Sequence, residues 1–270
     1  PHFPISAGSQ PRRRAKPARM QSALYPNVHS LAGGRAVVTG ASSGIGEAVA
    51  RRLAEAGCGV ALVARREERL AKLAAELKAE YNVPVEAFKC DCSDLEAIAA
   101  LPERVQATEL KDPTILIANA GLALGKTGAD DNNMEDSKIM IDTNVTGVVA
   151  LCRAFLPGMK ERNDGHVLTT GSVAGLHAYA GGSVYCASKF AVNAFTQAMR
   201  HDLQDTALRI AHIAPGWVET EFSNVRFKGD DAKADALYKG FTPLYAHDVA
   251  DSMMYVLTRP KHVQVADVVV

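Results

Sequence analysis

Thr39-Gly40-Ala41-Ser42-Ser43-Gly44-Ile45-Gly46 follows a short apolar run, Arg35–Thr39, and opens a helical pattern over 46–56 that stops at Gly57. Gly40 permits a tight turn, Gly44 lets the backbone approach a ligand closely, and Gly46 lets the helix pack against the strand. The helix N-terminus then presents free N–H groups and a positive dipole end to phosphate. The spacing is G-x3-G-x-G rather than the G-x-G-x-x-G fingerprint, and glycine-rich turns also have purely structural uses. Between a strand and a helix, the turn from Gly40 to Gly46 reads as the cradle of a dinucleotide, with Ser42, Ser43 and Ile45 as further contacts.

Outward from the turn, short apolar runs alternate with longer helical patterns. The runs are Arg35–Thr39, Gly59–Ala64, 83–89, 114–118, 165–170, 208–214 and a short terminal strand at 263–269. The helical patterns are 67–80, 94–107 with Ser93 as N-cap, about 134 to 162, 183–203 and 247–258. This alternation predicts a doubly wound, Rossmann-like α/β fold: a parallel sheet covered by helices on both faces, with right-handed crossovers. No repeat or linker interrupts residues 31–270, which reads as one domain. The long irregular stretch 217–245 is a candidate lid.

Composition agrees with a globular fold. The 270 residues are 47% hydrophobic and 22% charged, which excludes disordered, collagenous and disulfide-scaffold classes. Net charge is zero but uneven. Residues 1–30 hold Arg12, Arg13, Arg14, Lys16 and Arg19, no acid, and five of the twelve prolines. That segment reads as an extended arm: a leader with Met20 as an alternative start, a transit peptide, or a polyanion-binding tail. The remainder carries more acids than bases, which argues against nucleic acid as the main partner. Cys58, Cys90, Cys92, Cys152 and Cys186 are odd in number and scattered, as expected of free thiols in a reducing compartment, and no metal site is expected. The uncharged stretch 165–188 is too rich in Gly, Ser, Thr and His to span a membrane. A soluble, cytoplasmic protein is expected.

The end of the second strand selects the dinucleotide. NAD enzymes place a carboxylate there for the ribose 2′-OH; here Ala64 stands in that place, followed by Arg65 and Arg66. Arginine forms charge-assisted hydrogen bonds to a 2′-phosphate, so NADP is the expected cofactor. The plainer reading of both arginines is the start of a solvated helix. Asp91, after the third strand, suits the adenine edge or, alternatively, a loop cap. Tyr185 and Lys189 lie four apart on one helix face, Ser172 lies just past the fifth strand, and Asn144 interrupts a long helix as a mediocre helix former.

With Asn119-Ala120-Gly121 after the fourth strand and Pro215-Gly216 after the sixth, these motifs resemble the short-chain dehydrogenases/reductases over roughly residues 31–265. The resemblance implies a seven-stranded sheet and a homodimer or homotetramer built through the two long helices. It makes Tyr185 the proton donor and acceptor, with Lys189 lowering the phenol's pKa and holding the nicotinamide ribose, Ser172 orienting the substrate oxygen, and Asn144 holding a relay water. Asn119 and Gly121 then line the cofactor crevice, and Pro215, Gly216, Val218 and Thr220 lie at its nicotinamide end.

Met140-Ile141-Asp142-Thr143-Asn144, Tyr179-Ala180-Gly181-Gly182 and the segment 221–231 resemble more narrowly the NADP-dependent serine/3-hydroxy-acid dehydrogenase branch. That implies a small hydroxy acid or its carbonyl form as substrate. Arg226 and Lys228, in the candidate lid, are then the cations that would clamp its carboxylate; the rival reading pairs them with Asp230, Asp231 or a neighbouring subunit. A broad carbonyl or aldehyde reductase, including of a secondary metabolite, is the alternative enzyme. A binding protein that senses NADP redox state would not need Asn144, Ser172, Tyr185 and Lys189 together.

Overall fold

The computed structural model describes residues 28–270, so the readings placed on the basic arm within 1–27 lie outside the described residues. The strands are β1 Arg35–Thr39, β2 Gly59–Ala64, β3 Val85–Lys89, β4 Ile115–Ala118, β5 His166–Thr170, β6 Arg209–Ala214, β7 Val218–Glu219, β8 Leu244–Tyr245 and β9 Asp267–Val269. The helices are α1 Gly44–Glu55, α2 Glu67–Tyr81, α3 Leu95–Ala99, α4 Leu101–Gln106, α5 Met134–Ile141, α6 Gly147–Arg162, α7 Ser183–Asp202, α8 Phe222–Arg226, α9 Asp231–Ala236 and α10 Ala246–Leu257.

Seven strands form one parallel sheet in the order β3-β2-β1-β4-β5-β6-β9. Every residue of β2 (GVALVA) and β6 (RIAHIA) is buried, the signature of central strands covered on both faces. Val49, Leu53, Leu70, Val249 and Met253 pack on one face, and Val105, Leu151, Phe155, Val192 and Met199 on the other. Strand order reverses between β1 and β4, which pair directly. Their carboxyl ends therefore diverge into the crevice where such sheets bind ligands.

The run from 134 to 162 is continuous, but a five-residue π-helical turn, Asp142–Thr146, joins α5 to α6. It ends at Gly147, where an added Cβ would sit 1.9 Å from the Cys92 carbonyl oxygen, so the helix passes against the β3–α3 loop at a place only glycine fits. Met134–Arg162 is long and apolar enough to cross a membrane, yet Val148, Leu151, Cys152, Phe155 and Met159 bury its apolar side on the sheet.

Four expectations change. The 94–107 helix is two helices, broken at Ala100 before Pro102, which occupies the first turn of α4 as proline prefers. Its cap is Asp94, whose Oδ1 accepts from the amides of Glu96 and Ala97, whereas the Ser93 hydroxyl donates to Asp91. The stretch 217–245 is not irregular: it contains α8, α9 and a parallel pair between β7 and β8, braced by the Tyr238 hydroxyl donating to Val218 O at 3.0 Å. The terminal strand is confined to β9.

Candidate active site

A groove of about 300 Å³ runs across the carboxyl ends of the strands. At its floor, Gly40 and Gly44 take positive φ (+67° and +55°), which only glycine adopts without strain. Gly46 lies behind the groove: a Cβ there would meet Gly40 O at 2.3 Å and Asn119 Nδ2 at 2.7 Å. The Thr39 hydroxyl accepts from the amides of Asn119 and Ala120 at 3.0 Å, and Asn119 Nδ2 donates to Thr39 O, so β1 and β4 are locked where they part. Ser42, Ser43, Gly44 and Ile45 line the groove, as do Asn119 and Gly121 on the β4 side. No side-chain atom is needed to make this cradle; its shape is backbone, which suits a pyrophosphate at the start of α1.

At the outer end the two arginines differ. Arg66 donates from Nε to Ser42 Oγ (3.0 Å) and from Nη2 to Ser43 Oγ (2.6 Å), and its Nη1 pairs with Glu221 at 2.7 Å. Arg69 meets the same carboxylate at 2.7 Å. Arg65 stays at the rim, with its side chain 64% exposed and 3.8 Å from Asp91. Asp91 lines the groove while its Oδ1 accepts from the amide and hydroxyl of Ser93, so it is a loop cap as well.

Tyr185 and Lys189 project from the first turns of α7, and Ser172 stands beyond β5. Lys189 is buried, donates to Thr170 O at 2.9 Å, and lies 5.8 Å from the centre of the Tyr185 ring. The Ser172 hydroxyl accepts from Ala174 N at 3.1 Å. Burial pushes the Tyr185 phenol up to about 12, against the downward pull of the Ser172 hydroxyl and the Arg226 charge. The same burial brings the Lys189 ammonium down to about 8. In the free protein desolvation dominates at the phenol, and the cation that pulls it down is Arg226.

Asn144 does not line the groove. Its Oδ1 accepts from Leu122 N, and its Nδ2 donates to Leu122 O and Ser188 Oγ. The side chain thus holds the segment that follows Gly121, where an added Cβ would fall 3.3 Å from Asn144 Oδ1 and 3.5 Å from Lys189 Nζ.

Pro215, Gly216, Val218 and Thr220 line the groove on its β6 side. Arg226 is buried just behind Phe222 and Val225, which do line it. Its guanidinium lies 4.9 Å from the Tyr185 ring centre, 5.4 Å from that of Phe222 and 6.0 Å from that of Tyr179, and donates to the Tyr179 hydroxyl at 2.8 Å. No carboxylate of a described residue is paired with it. Lys228 is a correction: it does not line the groove, and it pairs with Asp136 on α5 at 2.8 Å, with its side chain 60% exposed. The acid it finds is neither Asp230, which caps α9, nor Asp231, which accepts from Asn224.

Sequence reading placed Tyr179, Glu221, Phe222 and Val225 in segments that carry the narrower resemblance but gave none of them a role. For Tyr179 the glycines two and three residues on were the signal: a Cβ on Gly182 would enter the Tyr179 ring at 2.3 Å. All five cysteines are buried and free, Cys90 and Cys92 at the adenine side of the groove. Among the described residues no cluster of three His, Cys, Asp or Glu could hold a metal.

The comparisons with known proteins agree with this geometry. An NADP-dependent 3-hydroxy acid dehydrogenase of Schizosaccharomyces pombe is 45% identical over 241 residues, 89% of this chain and 93% of its own. Sulfoacetaldehyde reductase 2 of Chromohalobacter salexigens is 44% identical over 230 residues, 85% of this chain and 90% of its own. A solved structure, the closed form of serine dehydrogenase complexed with NADP+, superposes with a TM-score of 0.81 at 43% identity, covering 87% of this chain and 93% of that one. The family model for short chain dehydrogenase matches residues 35–231, from β1 through the glycine turn, Ser172, Tyr185 and Lys189 to the start of α9. With the parallel sheet, the backbone cradle and the Tyr–Lys pair all inside that match, the chain belongs to the short chain dehydrogenase family.

Proposed function

We propose that this protein is an NADP-dependent dehydrogenase that interconverts a small 3-hydroxy acid and its carbonyl form. One observation carries the choice of substrate: Arg226 is a buried cation, unpaired with any carboxylate of a described residue, packed on the ring of Tyr185. A buried guanidinium without an anion is costly. A substrate carboxylate would supply that anion while placing the 3-hydroxyl at the phenol. The two relatives' substrates, a 3-hydroxy acid and sulfoacetaldehyde, support an anionic group at this place.

The residues fit the cofactor. The glycine turn offers a backbone cradle that side chains would fill, and Arg66 with Ser42 and Ser43 offers donors for a 2′-phosphate at its outer end, with Arg65 beside them. When bound, the nicotinamide supplies or accepts the hydride at the substrate carbon. Tyr185 takes the hydroxyl proton during oxidation and returns it to the carbonyl oxygen during reduction. Ser172 holds that oxygen, and Lys189, fixed by Thr170, keeps a positive charge beside the phenolate and the nicotinamide ribose. Asn144 keeps Leu122 and Ser188 in register with Lys189. Residues 31–270 work as one domain in which 217–245 is the lid. The exposed apolar residues Ile139, Ile141 and Val149 on α5–α6 and Phe190 on α7 support a homodimer or homotetramer, and the buried free thiols support a reducing, cytoplasmic setting.

The test is initial rates with NADP+ and NAD+ against serine, 3-hydroxypropionate and 3-hydroxyisobutyrate, with neutral secondary alcohols as controls. Hydroxy acids with NADP+ are the expected pair. Loss of the charge-assisted bonds in Arg226→Ala should raise KM for the acids about 10- to 100-fold. Turnover of neutral alcohols alone, or an equal penalty on them, would reject the acid assignment.

A further inference from the structure

The opposite edge of the sheet holds a second, smaller cavity of about 50 Å³, under the first residues of β5 and β6. His166 and Arg209, register partners in the sheet, face it together with His29, Ser30, Asp164 and Lys261. His166 is 3% exposed, and neither of its ring nitrogens has a hydrogen-bond partner among the described residues. Arg209 is 8% exposed and donates from Nη1 to Arg259 O at 3.0 Å, and no carboxylate of a described residue pairs with it. The one acid in the wall, Asp164, is already occupied, both its oxygens lying 2.9 Å from Lys261 Nζ.

The wall therefore carries one buried positive charge in excess and an imidazole able to donate but given nothing to donate to. Unpaired buried charge and unsatisfied buried N–H are both strongly unfavourable. The space is large enough for a water. A neutral water would satisfy His166 but leave the guanidinium uncompensated. An anion answers both. Burial lowers the pKa of both His29 and His166, and the field of Arg209 adds to it, so that charge reaches the other groups of the wall.

We infer that this cavity is a binding site for a compact inorganic anion of chloride size, held between the His166 imidazole and the Arg209 guanidinium. The site is separate from the catalytic groove, which lies at the carboxyl ends of the same strands. Its occupant ties the chain at residues 29–30 to the starts of β5 and β6 and to Lys261 beyond α10. It does not depend on the identity of the substrate.

Two measurements on the full chain test it. Crystals grown without halide and soaked in sodium bromide should give an anomalous bromine peak in contact with the His166 and Arg209 side chains. In halide-free buffer held at constant ionic strength with sodium gluconate, whose anion is too large for the cavity, added sodium chloride should raise Tm by a few degrees and saturate. Arg209→Met should lose that response and Arg209→Lys should keep part of it. A cavity holding only water in the soaked crystals would overturn the proposal, as would a chloride response in Arg209→Met equal to that of the wild type. Should Arg209→Met fail to fold, the bromide map of the wild-type chain decides alone.

Discussion

Glu221 reaches across the mouth of the groove to Arg66, carboxylate to guanidinium at 2.7 Å. The residue that caps α8 is thereby fastened to the residue that caps α2, and Arg69 grips the same carboxylate from the next turn. Arg66 is also the residue that holds Ser42 and Ser43. An anion arriving at Arg66 finds the place partly taken.

Glu221→Gln should therefore tighten NADP+ binding and leave NAD+ binding unchanged. The pair is exposed, and such pairs contribute about 0.2–1 kcal/mol, so the gain should be about 1.4- to fivefold at low salt and should fade at high salt. Titration of both cofactors by calorimetry checks it; a gain shared by NAD+ would mean that Glu221 acts on the whole groove rather than on the 2′-phosphate.

Oxidation needs the phenolate of Tyr185, and burial places that phenol at about 12. The kcat/KM for alcohol oxidation should thus climb with pH from neutrality upward. The Arg226 charge favours the phenolate, so Arg226→Met should move the rising limb to higher pH even for a neutral alcohol. Tyr185→Phe should abolish turnover and retain NADP+ binding. A limb unmoved in Arg226→Met would show that the guanidinium does not act on the phenol.

Gly46→Ala places a methyl group 2.3 Å from Gly40 O and 2.7 Å from Asn119 Nδ2. Both neighbours belong to the locked ends of β1 and β4, so neither yields cheaply. The expected result is a loss of several degrees in Tm together with a large loss of cofactor affinity. Normal NADP+ binding in a stable Gly46→Ala protein would mean that the helix can stand off the strand.

His166 and His212 are buried and neutral, with burial lowering their pKa values to about 3 and about 4. The unfolded chain takes up protons near 6.5 that the folded chain refuses. Their contribution to stability is therefore intact above that pH and is lost as pH falls toward 4, each histidine removing about 1.4 kcal/mol per pH unit. Urea midpoints between pH 7.5 and 4.5 should show this slope, and His166→Leu should reduce it by about half. An unchanged slope would assign acid lability to other groups.

Strand runs and the glycine turn were legible because a parallel sheet writes its central strands as unbroken apolar segments and its phosphate cradle as glycines at fixed places. Helical spacing put Tyr185 and Lys189 on one face, and the resemblance carried by the surrounding motifs gave the pair its role. What decides the remainder is tertiary. The split at Ala100 had a local signal, Pro102, but the cap fell to Asp94 because Ser93 is taken up by Asp91. Arg226 and Lys228 looked alike as two cations in one loop. The backbone turns between them, Lys228 taking a positive φ of 53°, and sends one inward to the aromatic rings and the other outward to Asp136. No pattern of residue types records that turn, and none records that burial raises the Tyr185 phenol.

The π turn at Asp142–Thr146 holds one more residue than an α-helix would in the same length. The extra residue is absorbed inside the turn, so the segments on either side keep the phase of an uninterrupted helix. Deleting one residue there should restore a plain α-helix whose far half still lays Leu151, Phe155 and Met159 on the sheet. What it removes is local: the bulge that carries Asn144 to Leu122 just ahead of Gly147. The same deletion one turn later, inside α6, would rotate everything beyond it by about 100°. Along one rod, a single residue is thus expendable to the fold at one place and indispensable at the next.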